Sequence, residues 1–196
     1  MLKYRPFEMH CHTRHSDGTF LVPQLIESVA AYGYAGLALT DHNAVTGLLE
    51  VTEELQRKNN YLVLPGIEWT TFYGHLLVIG CDRFVDWRFV TPDTIDEALQ
   101  EIRAAGGIAG VAHPCEVGSP LMCGCNWEFR VKRWDLMDYV EIWSGPDPHA
   151  SAKNGLAMPW YDALLNQGYH LAISAGRDWH GPDKPGQIPL LTATYL

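Results

Sequence analysis

The chain has 196 residues, 47% of them hydrophobic and 19% charged, with a formal charge of −9. This length and balance give one globular domain, read as residues 1–196, whose core needs no disulfides. The acidic excess, with no Lys/Arg cluster to offset it, argues against long nucleic acid as a partner, and no apolar run is long enough to cross a bilayer. Residues 1–6 (MLKYRP) show no apolar leader segment, so a cytoplasmic protein is expected. The five cysteines, Cys11, Cys81, Cys115, Cys123 and Cys125, are odd in number and form no disulfide framework.

Short apolar runs alternate with helical patterns. Residues 7–11 predict a strand ending in a His-rich turn. Residues 22–32 predict a helix, with Pro23 in its first turn and Gly33 as its stop. Residues 36–40 (GLALT) predict a second strand. Residues 46–59 predict one helix, acidic early and basic late. Residues 61–67 (YLVLPGI) and 75–79 (HLLVI) predict the third and fourth strands. A capping box at residues 94–97 (TIDE) opens a helix to about residue 105. Residues 108–112 and 139–142 predict the fifth and sixth strands, residues 156–167 a helix, and residues 171–174 a seventh strand. Residues 190–195 add an eighth. This alternation predicts parallel βα units. Residues 114–136, rich in Pro, Gly, Cys and Trp, read as a long loop or lid over the site mouth.

The metal-type residues cluster at the strand ends. His10 and His12 end the first strand and Asp17 follows in the turn. Asp41 and His42 follow the second, Glu68 the third and His113 the fifth. Glu141 lies near the end of the sixth, and Asp178 and His180 follow the seventh. Active sites of barrels and open α/β sheets are built at that face. His75 starts the fourth strand and meets Glu68 if residues 70–74 turn back, which makes one antiparallel pair. The period of two puts His10 and His12 on one face and Cys11 on the other. Mixed imidazole and carboxylate donors suit zinc, manganese or iron.

Five ordered motifs then stand out: residues 10–18 (HCHTRHSDG), 39–43 (LTDHN), 65–68 (PGIE) with Gly74-His75, 111–114 (VAHP) and 176–180 (GRDWH). Together they resemble the PHP (polymerase and histidinol phosphatase) superfamily along nearly the whole chain. Residues 140–145 (VEIWSG), the stretch from Trp160 to Gly168 and the final Asp-x-His are similar to its branch named for carbaryl hydrolase (CehA/McbA-like). The resemblance implies an α/β fold, a distorted (β/α)7 TIM-like barrel, holding two or three divalent ions (Mn, Zn or Fe). It implies a first ion on His10, His12, Glu68 and Asp178, a second on Glu68, His75 and His113, and a third on Asp17, His42 and His180. It places Asp41 behind these, orienting a ligand imidazole. Glu141 is read either in that role or as a core acid paired with the backbone. Arg177 stands where the superfamily commonly has serine, and is read either as salt-bridged at the rim or as a fork for a substrate phosphate or carboxylate. Trp69 and Trp179 flank ligands and are expected to line the pocket or pack in the core. His15 and the loop holding His149 and Lys153 are open to substrate contact, while His170 starts a strand and reads as structural.

Closely spaced ions lower the pKa of a bridging water to about neutral, so no Ser or Cys nucleophile is needed. Three such ions add six positive charges and would bring the chain from −9 to −3. The expected activity is a metal-dependent phosphoesterase acting on a small anionic phosphate ester. The alternatives are a carbamate or amide hydrolase with an apolar pocket, and a non-catalytic, metal-stabilised module.

Overall fold

The computed structural model describes residues 4–118, 124–183 and 192–196. Strands β1 (Pro6–Cys11), β2 (Gly36–Leu39) and β3 (Leu62–Thr71) run parallel. Strand β4 (Gly74–Ile79) runs against both β3 and β5 (Ile108–Val111), and β6 (Tyr139–Ser144) and β7 (Ala172–Gly176) continue parallel to β5. The reversed strand therefore makes two antiparallel ladders, one more than expected, because the tight β3–β4 hairpin leaves β4 pointing the wrong way for both neighbours. Strand β8 (Thr194–Tyr195) pairs antiparallel with β1, and the Thr194 hydroxyl bonds both N–H and C=O of Ala175 on β7. It thus bridges a seam at which, among the described residues, no ladder joins β1 to β7. The result is the expected α/β architecture, a distorted (β/α)7 TIM-like barrel.

Helices α1 (Val22–Ala31), α2 (Glu53–Asn59), α3 (Ile95–Ala104) and α4 (Ala152–Asn166) cover the outside. Helix α1 buries Leu25, Ile26 and Val29 on Leu37 and Leu39, and α3 buries Leu99 and Ile102 on Leu76, Val78 and Val111. Strand β2 is buried on both faces, as a parallel strand covered by a helix must be. The helix expected over residues 46–59 is two pieces. Thr46–Glu50 is a 3-10 turn, Val51 is extended, and the Thr52 hydroxyl accepts the Leu55 N–H to start α2 afresh. Gly47 sits so close to Asp41 and Leu39 that a Cβ would lie 2.9 Å from the carboxylate, which ties the 3-10 turn to the β2 loop. The capping box of α3 is also absent. The Thr94 hydroxyl accepts from Thr91 N–H, and Asp96 accepts from the Lys132 and Arg133 amides. Helix α4 begins four residues earlier than its pattern suggests.

Phe7, Met9, Ala38, Leu77, Ile79 and Tyr139 fill the barrel interior. A bulge between Glu8 and Cys11 shifts the register of β1. It lets Phe7 and Met9 face inward below and His10 and His12 face inward above, while Cys11 packs outward among the α1 contacts.

Candidate metal centre

Glu68, in the inward register of β3 and fully buried, is the hub of the site. Its Oε2 lies 3.2 Å from His10 Nε2, 3.5 Å from His12 Nε2 and 2.8 Å from His42 Nδ1. Its Oε1 lies 2.9 Å from His75 Nδ1 and 3.2 Å from His113 Nε2. One carboxylate thus meets five imidazoles. Asp178 Oδ1 joins from β7, 3.4 Å from His10 Nε2 and 3.1 Å from His12 Nε2. A more open group adjoins it: Asp17 Oδ1 is 3.3 Å from His180 Nε2 and 3.6 Å from His42 Nε2, and the His12 ring stacks on both His42 and His180.

The backbone is bent to achieve this. His113 and Asp178, each two residues past a strand, have φ of 25° and 50°. This is the left-handed region that side-chain-bearing residues rarely occupy, and such strain concentrates at functional sites. Asn43 is also left-handed, and its amide pairs with both N–H and C=O of Thr70, fastening the His42 loop to β3. His42 Nδ1 also meets the Thr70 hydroxyl.

The donors fit divalent ions. Two donors on one tetrahedrally bound ion at about 2.1 Å stand about 3.4 Å apart, close to the spacings between His10, His12, Glu68 and Asp178. His75 Nε2 is buried without a hydrogen-bond partner among the described residues, and His10 Nε2 and Glu68 Oε2, though near each other, make no hydrogen bond of normal geometry there. Orphaned buried polar atoms are costly, and a shared cation would satisfy them. His12, Asp17, His42 and His180 form one group with metal-like spacing; His10, Glu68 and His113, His10, His12 and Asp178, and His42, Glu68 and His75 form others.

Charge is poised accordingly. Burial works against a protonated His10, but Glu141, Glu68 and Asp178 overcome it and hold its pKa well above the ordinary value. Burial likewise disfavours the charged forms of His42 and His113, which Glu68 nevertheless shifts upward. Burial would also raise Glu68 and Asp178, but the surrounding imidazoles drive both well below the usual carboxylate range. His12 behaves oppositely, with burial pushing it down to about 4 despite Asp178.

Over residues 8–111, more than half of the chain, the sequence matches the family model for the PHP domain. The chain belongs to the PHP domain family. A 3',5'-nucleoside bisphosphate phosphatase of Chromobacterium violaceum is 34% identical over 79 residues, which are 38% of this PHP chain and 27% of that protein. The chain therefore spans only about a quarter of that relative's length. Among solved structures, a two-domain protein of Bacteroides vulgatus described as containing a predicted PHP-like metal-dependent phosphoesterase superposes with a TM-score of 0.67 at 18% identity, over 92% of this chain and 53% of that one. A protein of Bifidobacterium adolescentis described as a candidate metal-dependent phosphoesterase gives 0.65 at 17% identity, over 95% and 92%. An amidohydrolase of C. violaceum with bound sulfate and no metal gives 0.60 at 19%, over 90% and 88%. At these identities the likeness to the solved structures is one of fold.

The PHP barrel brings all nine expected ligands together, with refinements. Glu68 lies within β3 rather than beyond it, because the strand runs on into the hairpin. Glu141 makes a contact of each kind: Oε1 is 3.0 Å from His10 Nδ1, and Oε2 accepts the His113 N–H at 3.1 Å. Asp41 is corrected. Its carboxylate accepts the N–H and hydroxyl of Thr13 and the hydroxyl of Ser16, shaping the turn that carries Asp17 instead of aligning an imidazole. The fork reading of Arg177 is corrected too. The side chain is buried, pairs with Asp183 and lies over the Trp179 and Tyr32 rings, away from the imidazoles. Trp69 and Trp179 pack in the outer hydrophobic layers and do not line the site, since each neighbours an inward-facing ligand and so points outward. His15 is held by Thr46 and Glu50, and His149 packs on Trp143.

The loop expected as a lid is partly outside the described residues, at 119–123. Its described part packs on the hairpin, with Glu128 N–H bonded to Tyr73 O. Two acids escaped sequence reading. Glu8 accepts the His10 and Arg177 amides across the seam, and burial raises its pKa to about 8. Glu116 Oε2 lies 3.4 Å from His113 Nδ1, and its only signal was its place three residues after the histidine of the AHP motif. Among the described residues, no helix is long and apolar enough to cross a membrane.

Proposed function

We propose that the chain is one metallohydrolase domain, a metal-dependent phosphoesterase acting on a small phosphomonoester or phosphodiester. The observation that carries this reading is the set of five imidazoles around Glu68, joined by Asp178 on one side and by Asp17 and His180 on the other. His10, His12, Glu68 and Asp178 would hold one ion; Glu68, His75 and His113 a second; Asp17, His42 and His180, with His12 beside them, a third. When bound, two or three divalent ions (Mn, Zn or Fe) supply an activated water and Lewis acidity toward a phosphoryl oxygen. The protein's part is orientation. Glu141 fixes the His10 ring so that Nε2 faces the site and also fixes the His113 backbone, and Asp41 sets the Asp17 turn. His180 Nδ1 bonds Asp178 O, which turns its Nε2 toward Asp17. The nucleoside bisphosphate phosphatase relative supports a phosphate ester as substrate.

Trp69 and Trp179 are turned away from the site, so they do not form the apolar pocket that would favour a carbamate or amide. A complete set of converging donors also weighs against a non-catalytic module. The test is product release from a panel of phosphomonoesters and phosphodiesters by manganese-loaded protein and by the same protein after chelation. Metal-dependent release supports the reading; protein that contains metal yet releases none from any ester refutes it. His113→Ala is expected to abolish turnover with the far-UV circular dichroism unchanged, and undiminished turnover would remove His113 from the second ion.

A further inference from the structure

Lys153 plays no part in the metal-type set, yet its ammonium reaches the edge of it. Nζ is 2.7 Å from Glu116 Oε2, and that oxygen is 3.4 Å from His113 Nδ1. Glu116 also has a carboxylate oxygen within 4.8 Å of donor atoms of His113 and Asp178. The side chains of Lys153 and Glu116 are 19% and 30% exposed, so the pair sits at the mouth and not in the core.

Stability is a poor explanation for a lysine here. Partly exposed ion pairs contribute little. Lys153 also occupies the first turn of α4, which carries no acid, so its charge opposes the helix dipole. The position is nonetheless rigidly set. The amide of the adjacent Asn154, itself buried, accepts Ser144 N–H and donates to Ser144 O and Pro148 O, lashing this turn to the end of β6. The strand that carries Glu141 therefore also fixes where the ammonium can reach. Among the described residues, Arg177 pairs with Asp183, and Lys153 is tied to Glu116 of the cluster.

We propose that Lys153 is the anion-binding side chain of this site. It rests on Glu116 when no substrate is present and transfers to a phosphoryl oxygen when one enters. The inference rests on the phosphoesterase reading. An ammonium is a compact point charge suited to phosphate, and an incoming phosphate dianion outcompetes a single carboxylate for it. No bond is made or broken in this exchange.

The test is the dissociation constant of inorganic phosphate for manganese-loaded protein, measured by isothermal titration calorimetry at matched metal content. Lys153→Gln is expected to weaken phosphate binding at least about tenfold, as expected for a lost charged hydrogen bond. Lys153→Arg is expected to restore most of it. Glu116→Gln, which frees the ammonium, is expected to bind phosphate at least as tightly as wild type. If the pair is merely a latch, Lys153→Gln binds phosphate within twofold of wild type; that result, or wild-type protein that binds no phosphate, overturns the proposal. A wild type that binds phosphate through Lys153 but turns over no ester would instead sink the phosphoesterase reading and leave this one standing.

Discussion

Glu141 and Glu8 show how two buried acids of one barrel can do unlike things. Glu141 spends one oxygen on the His10 ring and the other on the His113 backbone, so it holds residues assigned to two different ions. Partners behind a metal ligand typically contribute ten- to a hundredfold in affinity. Glu141→Gln is expected to weaken manganese binding by about that factor, measured by titration of the chelated protein. Glu8 instead bridges the barrel seam, one oxygen accepting two amides and the other buried without a partner among the described residues. Burial raises its pKa from 4.5 to about 8. A pKa raised on folding means a contribution fully present below the unfolded value and lost as pH rises toward the folded one. Charging this carboxyl therefore costs on the order of 4 kcal/mol by pH 8. Glu8→Gln is expected to flatten the fall of stability between about pH 5 and 8. Urea denaturation of chelated protein checks this, and an unchanged slope would show that Glu8 does not titrate there.

At the level of elements, the site depends on short fastenings between a strand end and the segment after it. Asn43 fastens the β2 loop to β3, and Asn154 fastens α4 to β6. Asn154→Ala removes three hydrogen bonds and strands the buried Ser144 N–H, a loss of about 2–3 kcal/mol. It is expected to lower the melting temperature measurably. It should also weaken phosphate binding through displacement of Lys153, with metal content unaltered. Neither fastening can be read from local pattern. The helical period of residues 46–59 is real, but Thr52 and the crowding at Gly47 divide it. The capping signal at residues 94–97 is likewise real, but the Thr94 hydroxyl is taken by the Thr91 N–H and does not cap the helix.

For the molecule as a whole, metal and protons compete for one set of atoms. Without metal, His10, His42 and His113 have raised pKa values, so their pairing with Glu68 stabilises below about pH 6.5 and is lost as pH rises. Glu68 and Asp178 have lowered values, so their contribution holds above about pH 4.5 and is lost on acidification. Ions bind the deprotonated imidazoles, so their affinity rises with pH. Chelation is expected to lower the melting temperature, and the gap between loaded and chelated protein is expected to widen from pH 6 to pH 8. Differential scanning calorimetry checks this, and a gap independent of pH would disconnect the imidazoles from metal binding.

The sequence by itself determined the strands, the parallel βα plan and, through its resemblance to a family, the nine metal-type side chains that the barrel brings together. These rest on local periodicity and on motifs whose spacing is fixed by the strand ends that carry them. Only the tertiary structure decided what the second layer does. Asp41 turned to Thr13 and Ser16, Arg177 to Asp183 and the Trp179 ring, and Trp69 to the α3 side of the sheet. Glu8, Glu116 and Lys153 gained partners 169, 3 and 37 residues away in sequence. The metal-type residues stand at or just past strand ends, so their place along the chain reveals them. A supporting side chain faces whatever the packing of distant segments brings to it, and no local pattern records that choice.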